Sequence, residues 1–291
     1  GRPEFGAWRD MHMELHGPVV EQYEQVFERM WWQVTKEVIG DGANEANGAN
    51  GAHEPHEPYE PHSPHSPHSP HSPHSPLTAS VLGGHADEPS TLHLRLEQPS
   101  DGIDATVTGA RIGVVDRRPH RFSKMMRKAY VAAIDAAQEH IQIINPYPTN
   151  VKSVRRAIWR ALKRGVQVEI MVSARSDVPI TPDVVALEMY KLAKRGAHVY
   201  YNQEGFHHSK IMMIDGSFCT VGSANLDARS FLFDHEVNSF VIDKPTTAAL
   251  QDIFKADKQH CPPFLPGDYR RSFNFGHRLS GHIFSLFRGF L

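Results

Sequence analysis

The chain opens with an alternation of apolar and polar positions. Arg9-Asp10-Met11-His12-Met13-Glu14-Leu15-His16 has the period of a half-buried strand, and Gly17-Pro18 breaks it. Val19, Tyr23, Val26, Phe27, Met30, Trp31 and Val34 then recur at helical spacing, with Pro18 suited to a first helical turn. One strand and one helix cannot bury this aromatic stripe alone, so residues 1–39 are expected to dock elsewhere. His12, on the polar face of the strand, reads as a structural histidine. From Phe122 the pattern is regular. Ser123 is expected to cap a helix with Met126, Tyr130, Ala133, Ile134 and Ala137 on one face, and Ile141–Ile144 reads as a short strand ending at Asn145-Pro146-Tyr147-Pro148. Asn150 is expected to cap a helix with Val154, Ile158 and Leu162 inward and Gly165 as its stop. Val166–Val172 is a strand, Thr181-Pro182-Asp183 opens a helix to Arg195 with Gly196 as its stop, and Ala197–Tyr201 is the next strand. Asp234–Ile242 reads as a further strand. Strands alternating with helices predict an α/β fold with a mostly parallel sheet covered on both faces and functional groups at the strand ends.

The chemistry concentrates in a hairpin between these elements. Phe206-His207-His208-Ser209-Lys210-Ile211-Met212-Met213-Ile214 meets Ser217-Phe218-Cys219-Thr220-Val221-Gly222-Ser223 through Asp215-Gly216, a dipeptide suited to a turn with positive φ at both centres. If Ile214 pairs with Ser217, Ser223 falls opposite His208, Asn225 lies diagonal to it, and Lys210 shares the face. Ile211, Met213, Cys219 and Val221 are expected buried on the other face, with His207 pointing away from His208 as a structural residue. An imidazole can take up phosphorus covalently, and Lys, Ser and Asn are donors for phosphate oxygens. The set therefore points to phosphoryl or phosphatidyl transfer. It asks for no metal and no cofactor if Lys210 and Asn225 neutralise the developing charge.

Composition narrows the rest. The chain has 291 residues, with 31 Lys+Arg against 33 Asp+Glu, so no global basic surface argues for nucleic acid. Two cysteines, Cys219 and Cys261, make no disulfide framework, which suits a reducing compartment. No apolar run is long enough to span a bilayer and no signal peptide is visible. The chain begins at Gly1 rather than Met, so sequence upstream of it is expected. Residues 40–80 pass from Asn-Gly-Ala repeats to repeated His-Ser-Pro, a low-complexity linker expected to be an extended, disordered insert. Its histidines recur on one face, but without Cys or carboxylate cages such a tract holds metal loosely. Residues 81–121 are a connecting stretch with strand-like Leu92–Leu96 and Arg111–Val115. Residues 263–291 form a basic aromatic tail in which Leu279, Ile283, Phe287 and Phe290 share a helical side. Such a segment either packs on the parent domain or lies in a membrane interface.

The spacing H-x-K-x4-D-x6-G-S-x-N, filled here by His208, Lys210, Asp215, Gly222, Ser223 and Asn225, resembles the phospholipase D superfamily signature at every fixed position. Gly222–Phe231, Glu236-Val237-Asn238, Asn145-Pro146-Tyr147 and Arg175-Ser176-Asp177 look like bacterial cardiolipin synthases of that superfamily. Pro148 departs from the branch, which usually has an aromatic there, and the His-Ser-Pro tract is foreign to its core. Trp8-Arg9-Asp10-Met11-His12 with Gly17-Pro18-Val19 resembles the segment after the first of the family's two motifs, and that first motif is not in the chain. The resemblance implies a phospholipase D-like α/β/α sandwich over residues 122–262, preceded in residues 1–39 by the strand-helix remnant of a first half-domain.

The family joins two such motifs across a pseudo-two-fold. The resemblance thus implies that His208 is one of two catalytic histidines. Lys210 and Asn225 would hold nonbridging oxygens with Ser223 assisting, Asp215 would fix the turn, and Glu236 would orient an imidazole through its far nitrogen. The expected activity is cardiolipin synthesis from two phosphatidylglycerols through a phosphatidyl-histidine, at the cytoplasmic face of a bacterial membrane. The expected partners are the phospholipid, the membrane surface, and an upstream half-domain or a second copy of the chain. Two alternatives stand beside it: a phospholipase D-type phosphodiesterase or nuclease, and an inactive half-site that acts only in binding.

Overall fold

The computed structural model describes residues 8–9, 11–35, 90–96, 104–119, 124–149, 151–179, 181–203 and 205–286. The chain divides into two compact units, residues 1–23 with 80–291 and residues 24–79. The low-complexity tract, Ser123, Asn150, Phe287 and Phe290 lie outside the described residues.

The opening alternation forms β1 (Trp8–Arg9) and β2 (Met11–His16), and the stripe behind it forms α1 (Val19–Thr35). In the second unit, residues 24–35 of this helix are the described part. The connecting stretch is two strands, β3 (Ser90–Leu96) and a long β4 (Asp104–Arg117). Then come α2 (Met125–Ala136), β5 (His140–Ile144), α3 (Lys152–Arg164), β6 (Gln167–Ser173), α4 (Thr181–Ala193) and β7 (His198–Asn202). The signature region follows as β8 (Phe206–His207), β9 (Ile211–Ile214), β10 (Phe218–Gly222) and α5 (Ala228–Leu232). The chain continues through β11 (Glu236–Ile242), α6 (Lys244–Lys258), β12 (Pro263–Phe264), α7 (Asp268–Ser272) and α8 (Phe275–Leu286).

Local chemistry accounts for several boundaries. Gly165 ends α3 at φ 90°, and the amides of Gly165 and Val166 turn back onto the carbonyls of Leu162 and Ala161. α6 begins where the Asp243 carboxylate accepts the Thr246 amide, with Pro245 in the first turn. α2 starts from Lys124 and α3 from Val151, neither with a side-chain cap bond. α4 ends two residues before Arg195, and Gly196 at φ 96° closes the turn beyond it.

The main sheet runs β12-β7-β6-β5-β9-β10-β11-β4-β3-β2. It is mixed. Pairing is parallel in β5–β6 and β6–β7, where helices cross over, and antiparallel wherever a hairpin or a returning strand replaces the crossover. The expected mostly parallel sheet is thus met only in the α/β units. One sheet face carries Ile141, Ile143, Val168, Ile170, Val172 and Val199 into a core with Met126, Ile134, Ile158, Leu187 and Leu192 of α2, α3 and α4. The next residues along the same strands, Gln142, Glu169 and Tyr200, meet α6 through Gln251, Lys258 and Phe254. This two-residue alternation makes the sheet the middle layer of an α/β/α sandwich. In the opening block, Met13 and Leu15 are half-buried between exposed Glu14 and His16, and β2 pairs with β3 at the sheet edge.

Candidate active site

The turn between β9 and β10 corrects the expected register. Asp215 and Gly216 have φ 49° and 61°, as the dipeptide predicts, and Ser217 N donates to Ile214 O at 3.2 Å. Ile214 nevertheless pairs with Phe218, so the loop holds three residues. Ser217 leaves the ladder because its carbonyl accepts the Asp243 amide at 3.0 Å, just before α6. The slip places Val221 opposite Ile211 and Cys219 opposite Met213, and these four share one buried face. Counted onward, Ala224 rather than Ser223 would stand level with His208. The ladder ends at Ile211–Val221, however, and both arms leave regular geometry there.

Those irregular arms bring the predicted side chains together. A cavity of about 390 Å³ is lined by His208, Ser209, Lys210, Val221, Gly222, Ser223 and Asn225. Lys210 is buried, and its Nζ donates to His208 Nε2 at 2.6 Å and to the His208 carbonyl at 2.6 Å. An ammonium has no lone pair, so the nitrogen it faces is the acceptor and the ring proton belongs on Nδ1. The Nε2 lone pair is engaged by Lys210 in the empty cavity, so it must leave that bond to attack phosphorus. The His208 ring packs on Phe206 at 5.4 Å, and Phe206 on Tyr147 at 6.0 Å. Ser209 Oγ and Asn225 Oδ1 are buried without a hydrogen-bond partner among the described residues, which leaves acceptor capacity for a ligand.

Asp215 stands away from this cavity. Its carboxylate accepts the amides of Gln138, Glu139 and His140 at 2.8–2.9 Å, tying the hairpin turn to the start of β5. His207 is buried, with Nε2 3.3 Å from Asp257 of α6. Gly222 is required sterically, because a Cβ there would lie 2.4 Å from the Val237 carbonyl and 2.5 Å from Asn238.

The loop carrying Ser223 and Asn225 is held from three sides. Buried Asn238 accepts the Ala224 amide at 3.1 Å and donates to Tyr130 and Thr220. Asn145, at the end of β5, accepts the amides of Tyr147 and Leu226. Asp227 caps α5 by accepting the Ser230 amide at 2.8 Å, and Ser230 Oγ accepts the Asn225 amide at 3.0 Å. Ser223 donates to Glu236 and accepts the Val237 amide at 3.0 Å. Glu236 is thus found on the Ser223 hydroxyl. Burial raises the Glu236 carboxyl, with Ser223 and Ser230 working against it, and burial pushes Asp227 up to about 6. Ser209, Asn145, Asn238 and Ser230 are residues to which the sequence reading gives no role. Ser209 follows from the irregular backbone, Asn145 and Asn238 act across elements far apart in the chain, and Ser230 closes a local turn with Asn225 and Asp227.

A second cavity, about 410 Å³, adjoins the first and shares Val221, Gly222 and Ser223 with it. Its other walls are Met13 and Leu15 of β2, Val20 and Tyr23 of α1, and Val237. The Tyr23 hydroxyl is 2.7 Å from Ser239 Oγ. β1 runs parallel to β8, with Trp8 paired to Phe206 and Arg9 to His207, so the opening segment reaches the residue before His208.

A sandwich presenting a His-Lys-Ser-Asn cavity at its hairpin has counterparts among known proteins. Residues 130–258 match the family described as cardiolipin synthase, PLD-like domain. A probable cardiolipin synthase of Bacillus subtilis is 28% identical over 270 residues, covering 92% of this chain and 43% of that protein. A cardiolipin synthase of Oceanobacillus iheyensis is 33% identical over 154 residues, covering 52% of this chain and 32% of that protein. The crystal structure of phosphatidylserine synthase from Haemophilus influenzae superimposes with a TM-score of 0.54 at 13% identity, over 66% of this chain and 52% of that one, a likeness of fold. Over residues 130–258 the chain is thus similar to the cardiolipin synthase branch of the phospholipase D superfamily. It spans less than half the length of these curated relatives.

Proposed function

We propose that this chain supplies one half of the active centre of a phosphatidyltransferase, which joins two phosphatidylglycerols into cardiolipin and releases glycerol. In the first step an imidazole nitrogen attacks phosphorus, the P–O bond to the departing glycerol breaks, and a second imidazole gives that oxygen its proton. A phosphatidyl-histidine results. The second imidazole, now neutral, takes the proton from a hydroxyl of the incoming phosphatidylglycerol. That oxygen bonds to phosphorus, and the P–N pair returns to the first ring. His208 is one of the two imidazoles. Lys210 and Asn225 hold the nonbridging oxygens, where preorganised donors stabilise developing charge, and Ser223 assists by turning its hydroxyl from Glu236 to the phosphate. Glu236 steadies the Ser223 side of the site, and Asp215 fixes the turn.

The observation that carries this reading is the joined pair of cavities. The polar one gathers His208, Lys210, Ser223 and Asn225, and the apolar one shares a wall with it. A phosphodiester with acyl chains suits both; a nucleic acid backbone offers nothing for the second. The other imidazole comes from an upstream half-domain carrying a second H-x-K motif or from a second copy of the chain, and alone the chain turns over little. The work is done at the cytoplasmic face of a bacterial membrane. Among the described residues no helix is long and apolar enough to cross one.

The test uses phosphatidylglycerol labelled at phosphorus, incubated with the protein that contains both imidazoles and quenched during turnover. Acid-labile label on protein and cardiolipin as product are expected, with both lost in His208→Ala. Label that persists in His208→Ala and in a variant of the second histidine removes the mechanism. Phosphatidic acid as sole product makes the protein a hydrolase instead.

A further inference from the structure

We propose that the outer face formed by α2, α3, α5 and the end of α8 docks on an anionic phospholipid bilayer, at a site separate from the His208 cavity. Arg127 and Lys128 of α2 with Lys152 and Arg156 of α3 line a broad cavity of about 1100 Å³. The charged ends of these four have no hydrogen-bond or ion-pair partner among the described residues. Their neighbour Arg160 shows the contrast: Asp135, the one carboxylate lining the cavity, is held by it at 2.7 and 2.9 Å. The chain as a whole carries a net charge of −2, so this is a local concentration of positive charge. The same cavity has apolar walls in Val131, Val151, Leu232 and Leu286. Cations above an apolar floor fit a phosphate joined to acyl chains.

α8 supplies the second, independent observation. Phe275, Leu279, Ile283 and Leu286 recur along one side of the helix and are 72%, 47%, 46% and 81% exposed. The opposite side is fixed on α4. A Cβ at Gly281 would lie 2.6 Å from the Asp183 carbonyl, and His277 Nδ1 is 2.9 Å from the Asp183 carboxylate. Close packing of one side thus turns the apolar stripe outward. Leu286 belongs to both the stripe and the cationic cavity, so the two features form one continuous surface. Charge complementarity with an anionic bilayer selects the occupant. The tail therefore packs on its parent domain and offers an interfacial face as well. α5 links this face to chemistry, since Ala228 and Leu232 line the cavity and Asn225 is three residues before Ala228.

The test is co-sedimentation of the whole chain with vesicles of phosphatidylcholine alone and of phosphatidylcholine mixed with phosphatidylglycerol. It needs no turnover, so its failure leaves the His208 reading standing, and His208→Ala is expected to bind as the parent does. Wild type is expected on the mixed vesicles and to be released by salt. Lys128→Gln/Lys152→Gln weakens partitioning by about 25-fold, roughly fivefold per cation removed. Arg127→Gln/Arg156→Gln repeats the measurement on the other two cations, and an unchanged thermal transition certifies each fold. Leu279→Ser/Ile283→Ser weakens what binding remains in high salt. Partitioning unchanged in both cation pairs, or equal on the two vesicle types, overturns the proposal. Retention on a soluble polyanion without vesicle binding overturns it in favour of an acidic macromolecule.

Discussion

Two carboxylate clusters lie near the hairpin, and they are built on opposite principles. On the α6 side, Glu169 accepts from His140 at 2.9 Å, Gln142 at 3.1 Å and Tyr200 at 3.2 Å, and from the Lys258 ammonium. Burial alone would raise this carboxyl, but the bonds from His140, Lys258 and Gln142 outweigh it and hold it down at about 2. On the cavity side, Glu236 and Asp227 meet hydroxyls and backbone amides, and burial lifts both. A charge answered by a cation and several donors is a fixed part of the fold. A carboxylate hydrogen-bonded only by neutral donors can still change its proton, and two such carboxylates, Asp227 and Glu236, flank the loop that bears Ser223 and Asn225, with the Lys210 charge also acting on Glu236. Perturbed groups beside a cleft are where chemistry is expected.

His208 carries the most chemistry and the least structural burden. His208→Ala is expected to lower transfer by about 10⁴-fold in an assembly with both imidazoles, with stability changed by about 1 kcal/mol or less. Turnover assay and thermal denaturation on the same preparation read both. Glu169→Ala should do the reverse. It leaves His140, Gln142 and Tyr200 facing an emptied position, while Lys258, 38% exposed, can turn to water; the cost is about 1–3 kcal/mol, and activity per folded molecule stays near the parent's. A large loss of turnover in folded Glu169→Ala would erase the division between the clusters.

The same division governs what can be read along the chain. The α/β units are legible because their signals are local: apolar runs, Gly165 closing α3 at φ 90°, Asp215-Gly216 turning at positive φ. The cluster of His208, Lys210, Ser223 and Asn225 is legible because the signature fixes its spacing. The register is not, since Ser217 is drawn from the ladder by the amide of Asp243, 26 residues away in sequence. α6 does carry a readable start in Asp243-Lys244-Pro245-Thr246, which a search by apolar period passes over. Glu236 illustrates the other limit. Its place beside the site can be anticipated from the resemblance, but the bond it makes, to Ser223, depends on how β10 and β11 converge.

Asn238 stands between these two extremes. It joins the Ala224 amide, Thr220 and Tyr130, and belongs to the loop's support rather than to its chemistry. Asn238→Ala strands an amide and leaves the buried Tyr130 hydroxyl without this donor, for a loss of about 1–3 kcal/mol in urea unfolding. Activity should fall by about tenfold, through displacement of Asn225, a change of about 1.4 kcal/mol in the barrier. A stable fold with unchanged turnover would mean that Asn225 holds its place without β11.

The smallest effect is the most diagnostic, because it has a sign. Asp227 sits at about 6 in the folded chain against its ordinary 3.8, so the folded state keeps its proton longer than the unfolded one. Its contribution is full below 3.8 and is lost as pH rises through 6. Glu169, at about 2 against an ordinary 4.5, contributes in the opposite sense, fully above 4.5 and progressively less as pH falls through 2. Between pH 4.5 and 6, therefore, Glu169 is constant while Asp227 changes. Asn can cap α5 as Asp does, so Asp227→Asn removes the titration and keeps the cap. Urea unfolding at intervals across this window should show wild type losing about 1–3 kcal/mol relative to Asp227→Asn as pH rises. A difference that stays flat, or that grows in favour of wild type, would show that the donors around Asp227 hold its charge as fully as those around Glu169, and the contrast between the two clusters would go with it.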